Sequence, residues 1–347
     1  MNLLSIKKAI LLFSVLLLFC VLLFFLDLLV GSANIPAKEV WRAVFSGETS
    51  KSGWDFILFD SRIPRAFTAV LAGASLAVSG LLMQTLFRNP LAGPYVLGVS
   101  SGATFGAAIL ILATGSAGLA GVLGSSWPLA VAAWLGAALV MVLIFAVSLF
   151  IKNFSTLLIL GIMFGSALGA VVGILQYFGG AEEIRIFVLW TMGSLTAVAG
   201  TKLWLLAIAF IVSIFLALIK VKPLNALLLG EEYSHSLGYP VKRTAISIVI
   251  VTSLLAGTVT AFCGPIAFVG IAVPHICRFL FKTADHRILI PAVVLSGMAF
   301  MLIADMISQL PDTTSRLPIN TVTALFGAPV VIAVIIRGRN SGGFFRS

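Results

Sequence analysis

The chain is short of charge. Asp, Glu, Lys and Arg make up only 10% of its 347 residues, and none occurs in the 63 residues from 89 to 151. A water-soluble domain of that length is excluded, because its helices need a polar face. Cysteine is scarce too. Cys20, Cys263 and Cys277 all sit in apolar segments without metal-ligand spacing, which argues against a disulfide framework or a zinc site. The three histidines, His235, His275 and His286, form no His-x-x-x-His pair and no carboxylate–His motif. No Gly-x-x-x-x-Gly-Lys-Ser/Thr loop is present, so the chain has no recognisable nucleotide site. Serines such as Ser100 and Ser101 have no neighbouring His or Lys. The residues therefore point away from an enzyme and imply no bound metal or cofactor.

What is present is apolar. Hydrophobic residues make up 60% of the chain and the mean hydropathy is +1.16. This is the composition of a polytopic membrane protein. The apolar runs are continuous and rich in Leu, Ala, Ile and Val, so they read as helices; barrel strands would alternate. Ten spans fit the runs and breaks, near 9–30, 66–87, 95–114, 128–151, 154–178, 201–219, 244–262, 266–281, 288–308 and 319–336. The first span follows Lys7 and Lys8, as a signal peptide would, and Gly31, Ser32 and Ala33 offer small residues for cleavage. Its uncharged run, 9–26, is 18 residues and longer than a usual signal core, so we read it as an uncleaved span.

The net charge is +10. With the N-terminus inside, 14 Lys and Arg fall on the cytoplasmic side and 7 outside, with Lys202 at a boundary. That bias places both termini in the cytoplasm. Among the acids within or beside spans, Asp27 lies near a membrane edge, where we expect it solvated. Asp305 lies deeper and is read as an acid without a basic partner. It is a candidate proton site, or a structural hydrogen-bonding group at a helix end.

Residues 68–80 (TAVLAGASLAVSG) and 252–264 (TSLLAGTVTAFCG) match at 6 of 13 positions. The two segments would run in opposite directions through the membrane, as in the inverted repeats of transporters. Gly161, Gly165, Gly169 and Gly173 recur every four residues, which puts small residues near one helix face. Between 222 and 242, Leu224, Leu227, Leu228 and Leu229 form an apolar patch broken by Gly230. The segment Glu231–Leu237 then offers one or two further helical turns before Gly238 and Pro240. Apolar residues on a cytoplasmic loop must be covered, either by the protein's own spans or by a partner subunit.

Six ordered blocks carry a further signal. They are Arg62-Ile-Pro-Arg65; MQTLFRNPLAGPYVLGVSSGA at 83–103; LGEEYSHSLG at 229–238; GPIAFVGIAVPHICR at 264–278; DHRILIP at 285–291; and LPINTVTALFGAPV at 317–330. Together they resemble the FecCD-type permeases of ABC importers for iron–siderophore chelates, haem and cobalamin. The resemblance implies an all-α membrane domain spanning 1–347, with about ten helices. A first repeat would occupy about 62–178 (spans 2–5), a coupling loop 222–242, and a second repeat 243–336 (spans 7–10). It implies a second permease copy, two cytoplasmic ATPase subunits that hold ATP and Mg2+, an external substrate-binding protein, and residence in the bacterial inner membrane. Leu224, Leu227, Leu228, Gly230, Glu231, Glu232, Leu237 and Gly238 match the ATPase-coupling element. Arg62 and Arg65 match positions that accept acidic residues of the binding protein. Many relatives carry a third basic docking residue where this chain has Gln309, and an acid where it has Arg316, so Arg316 joins the docking set. Phe164, Gly165, Gly169, Gly173 and the bend Gly179–Gly180 fall on the gate and pathway. Iron chelates are the favoured cargo. Two other classes differ in what they would require: a proton-coupled transporter that depends on Asp305, and an intramembrane enzyme with a reactive residue.

Overall fold

A computed structural model describes residues 3–114, 125–148, 154–309 and 316–340. Residues 149–151 of the fourth expected span, and the basic residues Lys152 and Arg346, lie outside this set. Among the described residues the protein is all-helical. In chain order the helices are α1 (Leu3–Leu29), α2 (Ala37–Ser46), α3 (Ser52–Leu86), α4 (Val99–Ala113), α5 (Trp127–Ser148), α6 (Phe154–Phe178), α7 (Ala181–Thr191), α8 (Thr201–Ile219), α9 (Val221–Leu228), α10 (Glu231–Ser236), α11 (Val241–Cys263), α12 (Val269–Phe281), α13 (His286–Gln309) and α14 (Ile319–Asn340). Seven helices, including all or most of α1, α3, α5, α6, α8, α11 and α13, are long and apolar enough to cross a membrane. The three remaining expected spans coincide with shorter apolar helices, α4, α12 and the first part of α14.

The helices divide by side-chain size. In the most apolar window of α3, which is built from Ala, Gly and Ser between larger residues, 83% of positions are buried; in that of the Leu- and Phe-rich α1, only 11% are. α3 is therefore the axis, and α1 is a lipid-facing outer helix. Small residues make this possible, because in lipid the helices gain from close backbone approach rather than from hydrophobic segregation. A Cβ on Gly80 would lie 1.7 Å from the Gly270 carbonyl oxygen, and one on Gly73 would lie 2.1 Å from that of Gly297. α3 thus crosses α12 and α13 on paired glycines. α3 packs on α11, α12 and α13, and α11 also packs on α4 and α5.

α3 begins well before the expected span at 66. The segment 52–65 carries charge and Pro64, and reads as a loop, yet it is helical. Its Phe56–Arg62 part is a wide π-helical segment ending just ahead of Pro64. A wider turn accommodates a residue that cannot donate a backbone hydrogen bond. The 35-residue α3 is about 52 Å long, which exceeds a bilayer core of about 30 Å, so its N-terminal part extends past the end of α1.

Candidate functional site

α3 and α13 lie side by side, and polar groups join them at both ends. At the end formed by Leu86 and His286, the segment 222–242 folds into α9 and α10. Gly230 turns between them at φ 122° and Gly238 closes the element at φ 81°. Both are left-handed conformations that other residues adopt only under strain. Leu224 and Leu227 are fully buried against the protein's own spans, and Leu228 is half-buried. The part of the patch formed by Leu224 and Leu227 is therefore covered internally. The side chains left outside from Leu229 to Leu237 are Leu229, Glu231, Glu232, Tyr233, His235, Ser236 and Leu237. Partial burial raises the Glu231 carboxyl above its usual range, and nearby Arg88 opposes this.

The inner face of α9 carries a relay. The Asn225 amide nitrogen donates to Asp285 Oδ1 at 2.6 Å, which fixes the amide orientation. Its Oδ1 then accepts from the His286 backbone N–H at 2.9 Å and from His286 Nδ1 at 2.7 Å. With Nδ1 protonated, Nε2 of a neutral ring is an acceptor 2.8 Å from the Thr85 hydroxyl, whose one proton is shared with the Leu81 carbonyl at 2.9 Å. Asn225 thereby ties α9 to the start of α13 and, through His286, to the last turn of α3. Two further ties bind α12 to the same region. His275 Nε2 donates to the Pro90 carbonyl at 2.8 Å, and Arg278 Nη1 donates to Gln84 Oε1 at 2.6 Å. Asn225, His286, Thr85 and the exposed Tyr233 were not among the expected site residues. A lone Asn on an amphipathic turn gives no signal until its partners, 60 and 61 positions away in the chain, are known.

The opposite end holds a closed cluster. Arg65 Nε and Nη2 donate to Asp305 Oδ1 at 2.9 and 2.6 Å, and Nη2 also reaches Ser308 Oγ at 3.0 Å. Gln309 Nε2 donates to Asp305 Oδ2 at 3.2 Å and lies 3.5 Å from Asp27 Oδ1. Arg62 Nη1 donates to the carbonyls of Leu28 at 2.7 Å and Leu29 at 3.2 Å, and Nη2 donates to that of Ala33. Arg62 so caps the end of α1, where carbonyls lack helical partners and a cation is favoured. All four ionisable side chains are at most 7% exposed, and Arg65 with Asp305 is the one ion pair among them. Two expectations are corrected. Asp27 is buried rather than solvated, and Asp305 has a basic partner, supplied from 240 residues earlier. Arg62 and Arg65 point inward in this conformation. Arg316, outside the spans, is exposed, and partial burial and then the charge of Arg65 lower its pKa.

α6 is the most open of the internal spans, with only 17% of its window buried. Gly161 and Gly165 approach Gly98 and Ser101 at the start of α4, whereas a Cβ on Gly169 or Gly173 would meet nothing within 4 Å. The glycine stripe thus packs at one end and stands free at the other. A cavity of about 350 Å3 between these helices is lined by Tyr95, Gly98, Ser101, Gly161, Ile162, Gly165 and Ser166. Phe164 beside it is half-buried. The chain breaks helix at Gly179–Gly180 before α7, next to the exposed Tyr177 and Phe178.

Comparison with known proteins agrees with this arrangement. The model of the FecCD transport family matches residues 17–337. The hemin transport system permease HmuU of Yersinia pestis is 35% identical over 314 residues, covering 90% of this chain and 92% of that protein. The vitamin B12 import system permease BtuC of Klebsiella pneumoniae is 35% identical over 308 residues, with 88% and 89% covered. A solved structure described as a metal-chelate type ABC transporter in an inward-facing conformation superposes with a TM-score of 0.81 at 27% identity, covering 94% of this chain and 99% of its own. The chain belongs to the FecCD transport family.

Proposed function

We propose that this protein is the membrane-spanning permease subunit of a binding-protein-dependent ABC importer that carries a metal chelate across the bacterial inner membrane. The hemin and vitamin B12 permeases are equally similar to it, and both cargoes are bulky metal complexes, as is an iron–siderophore. An iron chelate or haem is the favoured cargo and cobalamin the alternative. ATP is hydrolysed by a separate cytoplasmic subunit, and both termini face the cytoplasm, in line with the distribution of Lys and Arg. A second permease copy completes the path along the open face of α6, with Gly169 and Gly173 at the mating surface. The halves 62–178 and 243–336 act as inverted repeats. The binding protein docks at the Arg65 end of α3, beside Arg316 in the segment before α14. There Arg316 is the reachable cation, while Arg62 and Arg65 shape the rim.

The observation that carries this reading is the α9–α10 element. It is pinned inside by Leu224, Leu227 and Asn225, and it leaves Leu229, Glu231, Glu232, Tyr233 and Leu237 free outside. An ATPase gripping that outer face would move α9, and Asn225 would pass the motion to α13 and α3. ATP states must favour one permease conformation over another for this to drive transport. Combining Tyr233→Ala with Leu237→Asp tests the docking step. The permease should insert at normal yield while the ATPase is lost on co-purification; retention of the ATPase at normal yield would overturn the proposal.

A further inference from the structure

The helix α2, which follows the first span, has three distinct strips. At 100° per residue, Val40 and Ala43 face inward, and both are buried against Leu28, Leu58 and Ala66. Next round the helix come Trp41, Val44 and Phe45, which are exposed at 50%, 38% and 72%. Beyond these lie Lys38 and Arg42, also exposed and without an ion-pair partner among the described residues. The one acid on this helix, Glu39, accepts from the Ser50 backbone N–H at 2.8 Å and makes no ion pair among the described residues, although its charge is felt by Arg42 and Lys38. α2 is therefore packed on one side and presents an apolar strip edged by exposed positive charge on the other.

Ring contacts set its depth. Trp41 stacks on Phe25 of α1 at 4.6 Å with an interplanar angle of 16°, and Phe45 stacks on Trp41 at 5.1 Å and 8°. Phe25 lies four residues before the end of α1, which is about 6 Å along a helix axis. The apolar strip of α2 thus continues the lipid-facing surface of α1 at the level where the span ends. Lys51, stacked over Trp54 at 4.6 Å, and the exposed Phe56 extend the same combination of aromatic and basic groups. Aromatic rings at the membrane boundary with adjacent Lys and Arg are the chemistry of an interfacial helix.

We propose that α2 is a lipid-binding helix lying in the membrane interface. Trp41, Val44 and Phe45 sit at the boundary of hydrocarbon and headgroups, and Lys38 and Arg42 hold the phosphate of an anionic phospholipid. Charge complementarity and continuity with the exposed face of α1 select lipid as the occupant. The inference does not depend on the transported cargo or on which side of the membrane is outside.

The test uses full-length protein in nanodiscs. The native cysteines Cys20, Cys263 and Cys277 are buried, so spin labels can be placed at Phe45→Cys and, as a water-facing control, Glu48→Cys. At Phe45→Cys, collisions with oxygen should exceed those with a water-soluble nickel chelate several-fold, with the reverse at Glu48→Cys. Preference for nickel at Phe45→Cys would place the strip in water. Protection from both reagents would mean that a second copy or another protein covers it. Either result overturns the proposal. For the headgroup, native mass spectrometry should find phosphatidylglycerol retained over phosphatidylcholine. Retention should fall about fivefold for each charge removed in Lys38→Gln and Arg42→Gln. Equal retention of the two lipids, or no change in the variants, would remove the role of Lys38 and Arg42.

Discussion

The two ends of α3 join it to α13 by opposite chemistry. At the Arg65 end the link is charged and closed: Arg65, Asp305, Gln309, Asp27 and Arg62 contact one another or a helix terminus, little of them reaches solvent, and only Arg65 Nη1 is buried without a partner among their described side-chain atoms. At the Thr85 end the link is a relay of Thr85, His286 and Asn225 that ends on a small element whose outer face is open. A closed ion cluster fixes geometry, because moving any member strands a buried charge. A chain of hydrogen bonds leading to an exposed element can transmit displacement. Under the proposed function, the first end is framework and the second is where coupling to the ATPase would act.

The largest effect is expected from breaking the closed end on one side only. Asp305→Ala should destabilise the permease by about 3–5 kcal/mol by leaving Arg65 buried and unpaired. Thermal unfolding in detergent checks this. The Arg65→Met/Asp305→Leu double variant should recover most of the loss, and a double variant as unstable as Asp305→Ala would show that the pair is not an independent unit. Next comes the crossing between the two ends. Gly80→Val should destabilise by at least about 1–3 kcal/mol through overpacking, since the new Cβ would occupy the position of the Gly270 carbonyl. Expression and monodispersity report it, with Gly53→Ala, in open space, as a near-silent control.

Smaller effects sharpen the coupling end. Asn225→Ala should leave the ATPase bound but lower cargo uptake per ATP hydrolysed several-fold, because the grip remains while the relay is cut. Loss of the ATPase itself would show that Asn225 only supports the element's fold. The smallest change is expected at Arg316. Arg316→Glu should reduce binding-protein-stimulated ATP hydrolysis a few-fold, more at low salt than high. Unchanged stimulation across salt would remove the residue from the docking surface.

Much of the fold was legible because span formation is local. The apolar runs at 154–178 and 201–219 coincide with α6 and α8 residue for residue. Hidden were the features that depend on distant partners. Helix over 52–65 was masked by charge and by Pro64, whose cost is relieved by a π-helical segment that no composition signals. The eight coupling residues from Leu224 to Gly238 were visible as a group. Which of them face inward was not, because Leu224 and Leu228 are equally apolar and only the packed spans distinguish them. Arg62 and Arg65 read as free cations for the same reason: Asp305 and the carbonyls at the end of α1 come close only in three dimensions. Family membership, by contrast, rested on six ordered blocks and needed no geometry.

The most direct test of the coupling assignment is maleimide labelling of Leu237→Cys in inverted membrane vesicles, with and without the partner ATPase. Leu237 is 52% exposed on the open face, so its replacement should label readily alone and be protected when the ATPase is bound. Equal labelling in both preparations would contradict the claim that this face is where the ATPase grips the permease.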